Sequence, residues 1–395
     1  MKEKIGLVLR SKPSNGGMFQ YSITIVDALL AQKRHDLAIE IFYFDSIWEK
    51  VLTDIDIPKT CISKNLLWSI VGKLNDSARL KLRFFTDLLF RKSSFNEIDN
   101  WIFPSQDALS FQIPGNAIVS VHDLMHRYET SFPEVGNNQE YNFREFLYSN
   151  ICHKAKAVLV DSELGKKQLL ESYPFVDKKR VFILPFVPRS SIYNDVNCEQ
   201  IKLKFNLPDK FVFYPAQFWR HKNHISLVKA VDLVYRENPD IVLVLVGYRN
   251  EALLEVERFI TEKQLTAHIK IIDYVSDDEL TVFYKLARAM IMPSYFGPTN
   301  IPPLEAMALG CPVAVANNYA MVAQIGNAGL SFSPENINEI AGCIEKLWNN
   351  DELCRCLSKN GLKQIADNYT QEIFNVKFNE ILEIVLSRND SHEKP

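Results

Sequence analysis

The sequence of 395 residues has no strong excess of either charge. Its 45 Lys and Arg stand against 48 Asp and Glu, for a formal net charge of −3 and a pI near 6.3. A dedicated nucleic-acid binder normally carries a basic excess, so no nucleic-acid partner is expected. The seven cysteines, Cys61, Cys152, Cys198, Cys311, Cys343, Cys354 and Cys356, are odd in number and show no CxxC spacing. They argue for free thiols in a reducing compartment, and against a disulfide scaffold or a zinc site. The apolar run near the start, IGLVL, is shorter than a secretory signal needs, and no stretch approaches the length of a membrane-spanning helix. The expectation is a cytoplasmic chain, at most peripheral to the inner face of the membrane. No repeat of solenoid period is present. No acidic cluster suggests a catalytic divalent ion, so no metal and no cofactor are expected.

What is present is alternation. Short apolar, β-branched runs lie at 5–9, 101–103, 117–121, 157–160 and 181–184, then at 211–214, 241–246, 269–272, 289–292 and 312–316. Helical patterns separate them. Runs such as IVLVLVG are apolar on both faces, as in parallel strands covered by helices on either side. The reading is an α/β fold of βαβ units in two Rossmann-like domains. A polar, proline-interrupted link with Pro185, Pro188, Arg189, Ser190, Ser191 and Asn194 separates them. It places an N-terminal domain at 1–188 and a C-terminal domain at 200–370. A last helix, 371–390, is expected to return toward the N-terminal domain, ahead of a polar, frayed tail.

The stretch 66–92 stands apart. It mixes Trp68, Phe84, Phe85, Phe90 and several leucines with Lys73, Arg79, Lys81, Arg83, Arg91 and Lys92, and its only acids are Asp76 and Asp87. A basic amphipathic helix of this kind can lie in a membrane interface. It can equally face a core while its cations are solvated. Both readings stand.

The most informative segment runs from Pro293 to Pro312. A strand ends at Pro293, and a tight loop follows with Gly297, Pro298, Thr299 and Asn300. Pro302 and Pro303 suit the first helical positions, and the helix stops at Gly310. A strand, a short loop and a helix N-terminus make an anion site at the carboxyl end of a parallel sheet. A diphosphate is its natural occupant. Glu305 is expected in the first turn, where a carboxylate either reaches a ribose hydroxyl or complements the helix dipole.

This segment resembles the donor-site motif of retaining GT-B glycosyltransferases of glycosyltransferase family 4. The match is close over 301–308 and continues through Gly310, Pro312 and Val313. The resemblance implies two Rossmann-like domains with parallel sheets facing across a cleft, and a nucleotide sugar held mainly by the C-terminal half. The family's second glutamate falls on Glu305, to which the ribose role carries over. Its first glutamate falls on Gly297, which has no side chain to contact sugar hydroxyls. Thr299, Asn300 and Ile301 occupy the following positions and are read as donor contacts instead. A second block, from Tyr214 to His224, resembles the family segment whose arginine and lysine neutralise the donor diphosphate. Lys222 matches the lysine. The arginine position is Gln217, and Arg220 is placed to compensate. Gly247 matches the family's glycine, and Asp273-Tyr274-Val275-Ser276 resembles the segment that holds the nucleobase through backbone groups.

The N-terminal half carries corresponding matches. Ser14-Asn15-Gly16-Gly17-Met18 resembles the family's glycine-rich loop, with Gly16 and Gly17 approaching the donor. Val121-His122-Asp123-Leu124 resembles its histidine-bearing loop, which puts His122 at the donor sugar near the reacting carbon. Asp123, His126, Arg127 and Tyr128 are read as acceptor contacts. In Asp161-Ser162-Glu163, Ser162 is read as a helix cap.

The resemblance implies transfer of a hexose with retention, with His122, Lys222 and Glu305 as the catalytic set and no metal. The first donor is GDP-mannose; dTDP-rhamnose or a UDP-sugar is the alternative. The acceptor is a lipid-linked or oligosaccharide glycan, such as growing lipopolysaccharide O-antigen. Two other classes remain open: a nucleotide-sugar epimerase of GT-B fold, and a catalytically silent homologue that scaffolds a polysaccharide complex.

Overall fold

The computed structural model describes residues 3–32, 36–62 and 97–387, so the basic stretch 66–92 lies outside the described residues. The chain forms two compact units.

The first unit comprises Met1–Arg127, Asn138–Pro185 and Phe374–Pro395. Its seven strands are β1 Glu3–Leu9, β2 Leu37–Tyr43, β3 Lys59–Cys61, β4 Asn100–Phe103, β5 Asn116–Ser120, β6 Ala157–Val160 and β7 Val181–Ile183. They form one parallel sheet in the order β3-β2-β1-β4-β5-β6-β7. Parallel pairing needs long crossovers, and helices on both faces bury the middle strands. Every residue of β4 and β6 is buried. Trp101 and Phe103 of β4 share one core cluster with Phe42, Tyr148 and Tyr173. Phe374 and Phe378 of the last helix, Gln371–Ser387, are buried in this unit, with Phe374 edge-on to Tyr21.

The second unit comprises Tyr128–Asn137 and Phe186–Ile373. Its strands are β8 Val212–Pro215, β9 Leu243–Val246, β10 Ile269–Ile272, β11 Ala289–Met292, β12 Val313–Ala316 and β13 Gly329–Phe332. They pair in parallel in the order β10-β9-β8-β11-β12-β13. The strand order therefore reverses between β8 and β11, which is where doubly wound sheets bind ligands. In the first unit the reversal falls between β1 and β4.

Three strands have no counterpart in the sequence reading: β2, β3 and β13. Each lies at a sheet edge or next to one, and each is partly exposed. The signal of residues apolar on both faces fails there because one face is not fully covered. Among the described residues no helix is long and apolar enough to cross a membrane.

Candidate active site

In the second unit, the segments that leave β8 and β11 flank the reversal point and interlock. The backbone N–H of Tyr295 donates to the carbonyl of His221 at 2.8 Å. The Ser294 hydroxyl donates to the carbonyls of Phe296 and His221, at 3.2 and 3.4 Å. Asn223 has φ +58, a left-handed conformation that Asn tolerates, and its buried amide donates to the carbonyls of Pro293 and Pro334 at 3.1 and 2.9 Å. The His221 ring stacks on Phe296 at 4.2 Å. Lys222 ends the 3₁₀ turn Arg220–Lys222, and its carbonyl accepts from the buried Tyr214 hydroxyl at 3.0 Å. The backbone that carries this cation is thus fixed from below by β8.

The helix Ile301–Ala308 follows β11, with Asn300 at its N-cap and no side chain capping it. Pro302 and Pro303 occupy its first turn, as expected. They also remove two of the three first-turn amides. Only Ile301 retains a backbone N–H there, so an anion at this helix meets one amide plus the helix dipole rather than a full ring of donors.

Gly297 has φ +124, and an ideal Cβ there would lie 2.7 Å from Asn300 Nδ2. Asn300 is itself clamped. Its N–H donates to Gln324 Oε1 at 3.1 Å, its carbonyl accepts from Gln324 Nε2 at 2.8 Å, and its amide contacts Met321 Sδ at 3.1 Å. The space that a side chain at 297 would need is occupied by the amide of Asn300. Thr299 is half-buried beside it.

Glu305 is the fifth residue of its helix, not part of the first turn, which corrects the sequence reading. Dipole complementation fades beyond the first turn, so that alternative does not describe it. Its carboxylate is buried and accepts from Arg189 Nη1 at 2.7 Å and from the Tyr284 hydroxyl at 2.9 Å. Burial raises the carboxyl above its ordinary range, while the guanidinium and the hydroxyl oppose that shift. Arg189 Nη2 also donates to the Asp277 carbonyl at 3.0 Å and to Thr281 Oγ1 at 3.2 Å. Nothing in the sequence distinguishes Arg189 from a solvated linker residue; only the fold brings it to Glu305.

Gly247 follows β9, and a Cβ there would lie 2.0 Å from the Ala216 carbonyl oxygen. The close crossing of two strand exits accounts for glycine at this position. Gln217 Oε1 accepts from Trp219 Nε1 at 3.0 Å and from Asn250 Nδ2 at 3.3 Å, so its side chain ties the loop together. Arg220 is exposed, 3.7 Å from Glu251. After β10, Tyr274 is exposed and stacks on Tyr248 at 5.4 Å, while Val275 is buried. Ser276 caps the helix Asp277–Leu286 in a capping box with Glu279.

The segment 128–137 belongs to this unit, which no sequence signal announced. Phe132 packs against Tyr295 and Phe296 at 5.2 and 5.3 Å, and the Tyr319 hydroxyl donates to Glu129. Glu134 Oε1 accepts from both the backbone N–H and the ring Nδ1 of His221, each at 3.1 Å. Burial disfavours the Glu134 anion, yet these His221 donors outweigh it and hold the carboxyl down to about 2.

In the first unit, Gly16 caps the helix Gly17–Leu30 after β1, and His122 follows β5. Tyr21 of that helix meets the His122 ring edge-on at 5.0 Å. Burial pushes His122 down to about 4 against the pull of Asp123, so the imidazole is neutral at pH 7. Asp123 accepts from the Met125 N–H at 2.9 Å and from Arg144 Nη1 at 3.0 Å.

Two residues read from the sequence as acceptor contacts are both held by Glu145. His126 is 0% exposed and holds Glu145 through Nε2 at 2.8 Å, with Tyr148 edge-on at 5.0 Å. Arg127 forks onto both oxygens of Glu145 at 2.5 Å and lies over the Tyr173 ring. The short helix Met125–Tyr128 turns both side chains toward the helix Asn138–Lys154, and there they bind Glu145. Ser162 caps the next helix as expected, accepting from Gly165 N–H at 3.0 Å. His122, Gly16 and Gly17 thus stand in one unit, and Lys222, Glu305 and residues 297–301 in the other.

Residues 197–364 match the family described as glycosyl transferases group 1. The chain is 25% identical over 382 residues to the O-antigen chain mannosyltransferase RfbU of Salmonella typhimurium, covering 91% of this chain and 97% of that protein. It is 24% identical over 266 residues to the serotype-specific mannosyltransferase WbdA of Escherichia coli, covering 64% of this chain and 32% of WbdA. The chain therefore matches only about a third of the length of that relative. Among solved structures, sucrose-phosphate synthase from Thermosynechococcus elongatus superposes with a TM-score of 0.74 at 19% identity, covering 98% of this chain and 100% of that one. Anabaena HepE in complex with UDP and glucose gives 0.75 at 15% identity, covering 96% and 99%. These likenesses are of fold. The likeness to the glycosyl transferases group 1 family is carried by residues 197–364, and the two parallel-sheet α/β units have the GT-B fold.

Proposed function

We propose that this chain is a retaining hexosyltransferase that takes mannose from GDP-mannose and adds it to a growing cell-surface glycan such as lipopolysaccharide O-antigen. One observation carries the reading: Lys222 and the Ile301 end of the helix Ile301–Ala308 leave adjacent strands at the reversal point of the second sheet. The name of the relative matched along nearly its whole length supports mannose and an O-antigen acceptor.

In this reading the bond between the anomeric carbon and the diphosphate lengthens, and charge grows on the leaving oxygen. The Lys222 ammonium, the Ile301 N–H and the helix dipole stabilise that charge in a fixed geometry. The acceptor hydroxyl attacks the face the diphosphate leaves, and its proton passes to the departing phosphate oxygen. Neutral His122 hydrogen-bonds the sugar rather than acting as a general acid at neutral pH. Glu305 holds the ribose. No metal takes part, and the enzyme works in the cytoplasm.

The test is turnover of GDP-mannose, dTDP-rhamnose and UDP-sugars with a lipid-linked oligosaccharide acceptor, with and without EDTA. NMR of the product linkage reads the anomeric outcome. An α-linked mannoside from GDP-α-mannose, unaffected by EDTA, is expected. Sugar isomers formed without acceptor would identify an epimerase instead. The absent carboxylate at Gly297 favours a second reading, a silent scaffold, which predicts nucleotide binding with no turnover of any donor.

A further inference from the structure

In the proposed donor site the nucleoside falls to two helices. The helix Asp277–Leu286 follows the Asp273 to Ser276 segment, and the helix Ile301–Ala308 carries Glu305. One cation joins them. Arg189 stands after Pro188 in the link that opens the second unit, and its side chain is 3% exposed. Its Nη1 donates to Glu305 at 2.7 Å, while Nη2 donates to the Asp277 carbonyl and Thr281 Oγ1 of the other helix. A planar guanidinium spreads these three bonds over two nitrogens in a fixed fork, whereas an ammonium offers a single nitrogen with rotatable donors. Two of the donors to Glu305, Arg189 and Tyr284, take one oxygen each. A carboxylate has about four lone-pair sites, so acceptor capacity remains on a group whose rotation is blocked.

We infer that Arg189 is a positioning residue for nucleotide recognition: it fixes the Glu305 carboxylate toward the ribose diol and ties it to the helix that follows the nucleobase segment. This rests on the reading of Glu305 as the ribose ligand. It predicts that Arg189 controls discrimination for the ribose hydroxyls without touching the ligand.

The experiment is calorimetric titration of GDP and 2′,3′-dideoxy-GDP into wild type, R189K and R189M, with melting curves for each. Wild type is expected to prefer GDP by at least about tenfold, the size of one hydrogen bond to a charged group. R189M should lose that preference to within about twofold, and R189K should lose most of it while still folded. R189M strands a buried carboxylate without its cation; if it does not fold, R189K alone decides. Retention of the full preference in the folded variants would overturn the positioning role while leaving Glu305 as the ribose ligand. A wild type that binds both nucleotides equally, or neither, would overturn the Glu305 reading and this inference with it.

Discussion

The amide of Asn300 lies where a side chain at position 297 would have to go, with Nδ2 only 2.7 Å from the ideal Cβ of Gly297. The sequence resemblance sets the family's first glutamate at this position, and Asn300 occupies the space that its side chain would need. Restoring the carboxylate is therefore expected to harm the fold. Gly297→Glu and Gly297→Ala both force a left-handed φ on a residue with a Cβ and should cost about 1–3 kcal/mol in urea denaturation. Adding Asn300→Gly to Gly297→Glu should recover part of that loss by opening the space. Unchanged stability in Gly297→Glu would contradict the steric account.

Glu134 titrates in a direction that can be checked. Its carboxyl is held down to about 2 from an ordinary 4.5, burial notwithstanding, by the His221 donors. A carboxyl depressed by folding stabilises the native state above its unfolded value, and that contribution disappears as pH falls through the folded value. Wild type should thus exceed Glu134→Gln by at most about 3 kcal/mol above pH 5. The gap should close between pH 4.5 and about 2. A gap independent of pH would mean that the Glu134–His221 contact is not an ionic one.

The alternating pattern of the chain was legible because the middle strands are buried on both faces, and residues such as Leu243, Val244, Leu245 and Val246 announce that burial directly. β2 and β13 were not legible, since strands at or near an edge lack that signature. The strand, loop and helix at 289–308 could be read because proline, glycine and a following helix have local causes. Arg189 and Glu134 could not be read. Their partners are 116 and 87 residues away in sequence, and only tertiary packing selects them. The burial of His126 was not legible either: tertiary packing turns it inward onto Glu145, a partner on a different helix.

His122 is depressed to about 4 by burial, so the folded protein binds fewer protons than the unfolded chain between pH 6.5 and about 4. Stability should fall as pH drops through that window, and less steeply in His122→Gln. Above pH 5.5 the ring does not change charge, and no inflection in kcat/KM there should belong to it. His122→Ala is expected to lower kcat/KM on the order of 10²-fold, as loss of a positioned hydrogen-bond partner does. An inflection near pH 6.5 that vanishes in this variant would show a protonated histidine in the reaction.

The most direct measurement is the affinity of wild type and Lys222→Ala for GDP, GMP and guanosine by titration calorimetry. The account predicts that wild type gains affinity with each phosphate. It also predicts that Lys222→Ala weakens GDP by about 10- to 100-fold, the value of one charged hydrogen bond, while binding guanosine as before. Equal affinity of wild type for GDP and guanosine, or undiminished GDP binding by Lys222→Ala, would contradict it.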